Sequence, residues 1–286
     1  SGMKLPHGKD SIPDKMFISL RGKRILTKSE MMVYEMLAHH DWTRPLYMST
    51  TLGGDNQAGL DNYLMLEGLA ARVTPFKLGD SGVDTERMYD NFMKKFRYGH
   101  IADPKVYVDQ TVMRTCYTHR MRFAQLAQQL IKEGKRDKAL KALEKCEQVL
   151  PQRQVPYEVW SLGIDSKTGM LMMPECYREL GKTKEAERIL KAVADRSLAY
   201  FDWYNSFSES RLSSMSGDIM QQYQILGMAI DGLQKCKSRL AGDYIKRVDQ
   251  LQRTIAGHVL ISAMNARRAA ASTPGNGGED EGDGDF

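Results

Sequence analysis

Cysteine is scarce in the sequence, and no two cysteines are close together. The four are thirty or more residues apart, at Cys116, Cys146, Cys176 and Cys236. No zinc-ligand or disulfide spacing is therefore present. The first three fall on apolar faces of predicted helices, where cysteine behaves as a small hydrophobic residue. The cysteines therefore do not indicate whether the protein lies in a reducing or an oxidising compartment. We expect no metal and no other cofactor.

Long apolar runs are also missing. No stretch approaches the roughly 18 apolar residues of a membrane helix, so we expect this part of the chain to be soluble. Ser1, Gly2 and Met3 are expected to be a cloning remnant in front of a fragment. The lack of a secretory leader then says nothing about the parent protein.

The motifs of catalysis are absent as well. There is no nucleophile elbow, no HExxH, no P-loop and no paired-carboxylate motif. His39, His40 and Asp41 are adjacent, but neighbouring side chains on a helix diverge and no third metal ligand is spaced to join them. We predict no catalytic residue and no metal site, and we expect this stretch not to be an enzyme. A catalytic triad assembled from distant residues would leave no motif in the sequence.

The charge of the chain is uneven. The net charge is +5, but five acidic residues lie in the last eight positions, so the rest carries +5 plus 5, or +10. A basic body suits an anionic lipid surface or an acidic protein, and a solvated surface with excess lysine is the simpler alternative. The basic residues near the start have no interleaved aromatics, so we expect no nucleic acid partner. They are Arg21, Lys23, Arg24 and Lys28.

Residues 109–151 have the periodicity of two helices folded back on each other. Apolar residues recur at spacings of three and four, Gly134 stops the first run, and Pro151 closes the second. The pattern matches a tetratricopeptide hairpin. A second hairpin is predicted 47 residues later, with Tyr177 and Gly181 in the places of Leu130 and Gly134.

The region before residue 105 mixes strand and helix patterns. We predict strands at 16–20, 46–52 and 69–76, short helices at 61–67 and from Asp84, and a helix that starts at the capping box of Thr27 and Glu30. A strand, a helix and a strand in sequence indicate a right-handed crossover.

The predicted fold class is therefore α+β and mostly α, with a small N-terminal α/β unit followed by a tetratricopeptide-like stack of helical hairpins. The predicted parts are a tether with the cloning remnant at 1–15, the α/β unit at 16–104, the helical domain at 105–268 and an acidic flexible tail at 269–286.

Two sets of candidate site residues follow from this organisation. The glycine-rich loop from Gly53 to Gly59 lies between a predicted strand and a predicted helix, a position in which loops can hold a phosphate. It has neither the lysine of a GxxxxGK[ST] motif nor the glycine spacing of a GxGxxG motif. Its polar candidates are Asp55, Asn56 and Asp61. The first helix of each hairpin would line an interaction groove, for which the candidates are Arg120, Gln125 and Gln128.

Seven short strings in this order resemble one family. They are FISLRG at 17–22, LTKSEMM at 26–32, WTRPLY at 42–47, LDNY at 60–63, LEGLA at 66–70, MYDN at 88–91 and MRTC at 113–116. Together they resemble the C-terminal extramembrane region of a bacterial multi-pass membrane family of unknown function that is related to protein O-mannosyltransferases. The resemblance covers roughly residues 12–265.

The resemblance implies that a membrane region with a glycosyltransferase-like site precedes this piece, which would lie on the extracytoplasmic, periplasmic face of the inner membrane. None of that family's catalytic residues falls within the present residues. Our leading hypothesis is a non-catalytic domain that braces the membrane region or presents acceptor proteins or peptides to it. The alternatives are a sugar- or phosphate-binding domain that uses the Gly53 loop, and a purely structural scaffold.

Overall fold

The structure is a computed structural model, and it describes residues 13, 15–20, 23–52, 57–78, 82–157 and 169–272. It is α+β and mostly α, with a small three-stranded sheet near the N-terminus followed by stacked helices, which confirms the predicted fold class. The chain divides into two compact units, residues 1–182 and 183–286. The boundary predicted at 104/105 falls inside the first unit and stays a prediction.

Helix α1 spans Lys28–Ala38 and begins at the predicted capping box. The Thr27 side chain accepts a hydrogen bond from the Glu30 N–H, and the Glu30 carboxylate accepts one from the Thr27 N–H at 2.9 Å. A second contact holds the helix to the rest of the unit, because the Tyr34 hydroxyl donates to the Ala58 carbonyl at 3.0 Å. Glu30 is the buried residue of this helix.

The sheet consists of β1 (Tyr47–Ser49), β2 (Leu64–Leu66) and β3 (Ala70–Val73), in the order β1-β3-β2. Both pairs are antiparallel. The predicted right-handed crossover is wrong, because residues 16–20, its first strand, form no strand in the structure. A hairpin supplies β3 instead, since Gly68 turns the chain between β2 and β3 at φ +146°. Residues 61–67 were predicted as a helix, but they form a 3-10 turn (Asp61–Tyr63) that runs directly into β2.

The strand predicted at 16–20 is also wrong. An alternating segment becomes a strand only where a neighbouring edge offers backbone hydrogen bonds. Here the Phe17 carbonyl accepts instead from the buried Tyr63 hydroxyl, at 2.5 Å. Residues 15–20 therefore have no regular secondary structure and lie outside the sheet.

Helix α2 spans Thr85–Asp90 and continues into a π-helical turn at Asn91–Lys95. Asp84 caps it as predicted, accepting from the Arg87 N–H at 3.0 Å. Met88 and Phe92 are fully buried, and Phe92 packs against Phe123 with ring centroids 4.4 Å apart. This contact joins the α2 region to the helix that follows.

Helices α3 (Gln110–Lys132) and α4 (Arg136–Val149) form the predicted hairpin, and α5 (Gly169–Glu179) packs on α3. Gly134 has φ +75° in the turn, and the N–H after it donates to the Leu130 carbonyl at 2.8 Å. Gly181, at φ +78°, ends α5 in the same way, with the following N–H bonded to the Tyr177 carbonyl at 2.8 Å. The correspondence predicted between these two turns is confirmed.

The second unit contains α6 (Thr183–Tyr204), α7 (Glu209–Ser214), α8 (Ser216–Lys235), α9 (Leu240–Leu251) and α10 (Ile255–Ser272). Helices α6 and α8 pack closely, because Gly232 leaves room for the Leu190 side chain: a Cβ on Gly232 would lie 2.7 Å from it. In the predicted acidic tail, residues 273–286 lie outside the described residues.

Candidate ligand-binding site

A cavity of about 380 Å³ lies between the sheet and α3 in the first unit. This volume is within the range of small-molecule sites in proteins, which is roughly 300–1,000 Å³. The strands and the loops beside them form one wall, and α3 forms the other. The lining side chains of the sheet wall include Met48, Thr50, Gln57, Asp61, Leu64, Leu66, Ala71 and Val83. Those of the helix wall are Arg122, Gln125, Gln128, Gln129 and Lys132.

The floor of the cavity is apolar because of the strand register. Met48 pairs with Ala71, and Ala71 pairs with Leu66, so the three form a row across the sheet. Side chains in register on neighbouring strands lie on the same face. Leu66 and Ala71 are buried and Met48 is partly exposed. The row gives a bound molecule an apolar surface on which to rest.

The helix wall is polar and rich in amides. Its five lining residues recur at spacings of three and four, which places them on one face of α3. Each glutamine offers both a donor and an acceptor. Gln57 adds a further amide from the opposite wall. This set of groups suits a ligand with several hydroxyls, because hydroxyls also donate and accept.

Arg122 is the most enclosed charge of the cavity. Its Nη1 donates to Oε1 of Gln125 at 2.7 Å, while its buried Nε has no hydrogen-bond partner. Burial lowers the pKa of the Arg122 guanidinium, although an arginine stays protonated in proteins. No carboxylate of the described residues forms an ion pair with it. The guanidinium can therefore donate to an oxygen of a ligand.

Three charged residues set the electrostatics of the lining. Arg122 and Lys132 are positive and Asp61 is negative, so the lining carries a net charge of +1. A neutral polyol or a monoanion matches this balance better than a cation does.

The structure brings three of the six predicted site residues together. Asp61 lines the cavity from the loop side, and Gln125 and Gln128 line it from α3. These residues came from two separate hypotheses, a phosphate-binding loop and an interaction groove, and they lie around one cavity. Asp55 and Asn56 lie outside the described residues.

Arg120 lies elsewhere, inside the unit. It is 5% exposed and donates to the carbonyls of Pro156, Leu150 and Val155, at 2.5, 2.8 and 2.6 Å. Its guanidinium also covers the Tyr157 ring, 4.8 Å from the centroid. The residue holds the segment after α4 against α3, and it lines no groove.

Four lining residues were not predicted as site residues from the sequence: Gln57, Arg122, Gln129 and Lys132. On α3 a signal was present, because the polar residues repeat at helical spacing on the side opposite Phe123 and Leu126. That repeat looks like an ordinary solvated face until the sheet is known to lie opposite it. Gln57 had no such signal.

The other face of the sheet has a buried ion cluster. Glu67 is 6% exposed; its carboxylate accepts from the Tyr47 hydroxyl at 2.7 Å and pairs with Arg72 at 3.0 Å and Arg87 at 3.2 Å. Burial raises the pKa of Glu67 in spite of these cations. Every member of the cluster is engaged within the unit, so its role is to fasten the β2–β3 turn to α2.

Helix α6 has a second, shallower hollow of about 280 Å³, in the second unit. It is lined by Arg196, Ala199, Tyr200 and Trp203. Phe201 and Tyr204, from the same aromatic stretch, are buried in the core. The hollow offers fewer polar groups than the cavity in the first unit, which is the better candidate site.

One family model matches part of the first unit. Residues 1–91 match the model of TMEM260-associated domain 2, a stretch that contains α1 and the whole sheet and ends before α3. No curated protein matches the chain, and no solved structure does. Of the helices in the described ranges, none is both long and apolar enough to cross a membrane. The described residues also contain no group of three potential metal ligands.

Proposed function

We propose that the cavity between the sheet and α3 binds a small carbohydrate, a hexose or a hexose phosphate, without transforming it. The observation that carries the proposal is the meeting of four glutamine side chains and Arg122 over an apolar floor. A pyranose has an apolar face and a ring of hydroxyls, so it can use both parts. A phosphate group would bind to Arg122 and Lys132, since charge-assisted hydrogen bonds to arginine are strong.

The proposed binding role is non-catalytic, because no hydroxyl of the described lining is bonded to a base: Ser49 is bonded to Thr51, and Thr50 donates to the Leu69 carbonyl. Asp61 is its one carboxylate among the described lining residues, and no histidine or cysteine is present there. We propose that this chain belongs to a membrane protein of the glycosyltransferase class, related to protein O-mannosyltransferases, on the periplasmic face of the inner membrane. In this setting the cavity would recognise the sugar of a donor or of a glycosylated acceptor.

Calorimetry tests the proposal directly. Neutral hexoses and hexose 1-phosphates are titrated into the full chain and into the Gln128→Ala and Arg122→Gln variants. We expect millimolar to micromolar binding, a roughly tenfold loss in Gln128→Ala, and a loss in Arg122→Gln that is larger for the phosphates. The exposed Gln234→Ala on α8 is the matched control and should bind like the parent. Absence of heat with every sugar, or equal binding by all the variants, would refute the proposal.

Protein interaction is the second candidate. Helical hairpins with the tetratricopeptide pattern present grooves for extended peptides. Helices α3 and α4 form a helical hairpin, and its sequence has that pattern. In this role the unit would brace the membrane region or hold acceptor peptides. Co-purification of the chain with that membrane region tests it. A complex that survives Gln128→Ala would separate this role from sugar binding.

A further inference from the structure

Three exposed methionines lie on the outer side of α1, where no described residue covers them. Met31, Met32 and Met36 are 59%, 61% and 55% exposed. Met32 and Met36 are one turn apart on the side of the helix away from the buried Glu30, and Met31 lies at the edge of that side. We refer to Met31, Met32 and Met36 as the methionine face. Large exposed apolar surfaces are uncommon and indicate contact with a partner.

This face is held in place by its surroundings. The capping box fixes the start of α1, Lys23 forms an ion pair with Glu30, and Tyr34 is bonded to the Ala58 carbonyl at 3.0 Å. Exposure of the methionines is therefore a property of the folded unit and does not come from fraying of the helix.

Cations flank the methionine face at one end. Lys28 is one helical turn before Met31 and Met32, and Arg24 lies shortly before the cap; both are exposed. Ile25, beside Arg24, is 81% exposed. Exposed cationic and apolar side chains therefore lie close together in sequence from Arg24 to Met32.

We infer that the methionine face docks on an anionic lipid surface, with the methionines and Ile25 in the interfacial layer and Arg24 and Lys28 among the headgroups. Charge complementarity decides for this occupant. Arg24 and Lys28 are the cations beside the methionine face and attract anionic lipid, and two copies of the chain, each with a net charge of +5, repel each other. Lysine and arginine can reach headgroups while their stems rest on apolar surface.

The surface is separate from the proposed carbohydrate site, and the inference stands without it. Lipid binding would orient the unit at the membrane and would not use Arg122 or the glutamines of α3. Of the other charges on this face, Glu35 lies 3.4 Å from Nδ1 of His39.

Vesicle sedimentation with the full chain tests the inference. The vesicles are either pure phosphatidylcholine or an equal mixture of phosphatidylcholine and phosphatidylglycerol. Each cation near an anionic surface raises binding about fivefold, so the two predict a preference of roughly 25-fold for the mixed vesicles at low salt. The preference should shrink at about 0.5 M salt, because salt screens exposed charges.

Two variants locate the contact. The triple variant Met31→Ser, Met32→Ser and Met36→Ser should lose about tenfold or more of its binding, because it removes the apolar contribution. Arg24→Glu with Lys28→Glu should abolish the preference for anionic vesicles. The control, Ile245→Ser with Ile261→Ser, removes two side chains that are each 40% exposed in the second unit and should bind within about twofold of the parent.

The outcomes are distinct. Loss in the methionine variant together with retention in the control supports the inference. No binding to mixed vesicles at low salt overturns it, as does equal binding to neutral vesicles. Concentration-dependent dimerisation that the methionine variant abolishes, without vesicle binding, would instead assign the face to a second copy. Circular dichroism of each variant confirms that the fold is kept, since the changed side chains are exposed.

Discussion

Arg122 and Gln125 are joined across one turn of α3, with Nη1 of the arginine donating to Oε1 of the glutamine at 2.7 Å. The bond engages the amide oxygen and leaves the amide N–H groups of Gln125 available to a ligand. It also keeps a charged donor at the cavity without a carboxylate to neutralise it. The pair therefore sets both the orientation of the helix wall and its positive charge.

Gln125→Glu should change the charge selectivity of the cavity. A carboxylate at this position forms an ion pair with Arg122 and removes the positive charge that an anionic ligand would contact. We expect the affinity for a hexose phosphate to fall about tenfold while neutral hexose binding changes by less than about threefold. Calorimetry with the two ligands in parallel measures the ratio. An unchanged ratio would exclude Arg122 from anion binding.

Arg120→Met should destabilise the first unit by about 3 kcal/mol, because the carbonyls of Leu150, Val155 and Pro156 would lose a charged donor at buried positions. Urea denaturation gives the free energy of unfolding. Arg114→Met, at an exposed position of the same helix, is the control and should change it by less than about 0.5 kcal/mol. Equal effects of the two changes would contradict the assigned role of Arg120.

Glu86 should make the stability of the fold depend on acid pH. Two hydrogen bonds lower the pKa of its carboxyl from 4.5 to about 2; the bond from Lys135 has the larger effect and the bond from Lys138 the next largest. The group therefore contributes stability above about pH 4.5, and the contribution is lost as the pH falls towards 2. Because Glu86 is 57% exposed, solvent screening reduces the effect to on the order of 1 kcal/mol.

Glu86→Gln should accordingly flatten the dependence of the unfolding free energy on pH between 4.5 and 2. Glu144→Gln removes an exposed carboxylate of α4 that has no ion pair with a described residue, and it serves as the control. Denaturation curves at several pH values, with and without about 0.5 M salt, provide the measurement. A slope that survives Glu86→Gln would assign it to other groups.

Alkylation should distinguish the cysteines of the native protein. Burial raises the pKa of Cys146 and of Cys176 to about 12, and it also raises the pKa of the Cys116 thiol. The thiolate is the reactive form, so these three should react slowly with iodoacetamide at pH 8. Cys236 is partly exposed and should react first. Mass spectrometry should find one rapid adduct in the native chain and four in urea.

Two glycines of α8 should respond to alanine in opposite ways. Gly227 has open space around it, so Gly227→Ala should stabilise the helix by about 0.5–1 kcal/mol. In Gly232→Ala the new Cβ would lie 2.7 Å from the Leu190 side chain, and overpacking should destabilise the unit by about 1–2 kcal/mol. Melting temperatures of the two variants test the close approach of α6 and α8. A rise in both would show that Leu190 moves aside without cost.

Local signals in the sequence predicted local structure well. The capping box of Thr27 and Glu30 acts over four residues, and the structure contains it. Gly134 and Gly181 mark two helix ends of the same kind, because each adopts a positive φ that glycine tolerates. The helices α3 and α4 also follow their apolar periodicity. In each case neighbouring residues decide the conformation.

Long-range pairing was not predictable in the same way. The antiparallel order β1-β3-β2 depends on which strands meet, and strand patterns alone do not state this. Arg120 looked like a surface residue because its three carbonyl partners lie 30 to 36 positions away along the chain. The cavity itself exists only because α3 lies across the sheet, although its nearest lining residue, Arg122, comes 39 positions after Val83 of the other wall.

The two walls of the cavity come from stretches with different family coverage. The match to TMEM260-associated domain 2 includes strands β1, β2 and β3, which form the floor, and it ends at residue 91. Helix α3, which provides the five polar residues of the other wall, begins after this match. Floor and wall are separate segments of the chain, so substitutions on α3 would change the polar wall and leave the strands of the floor as they are.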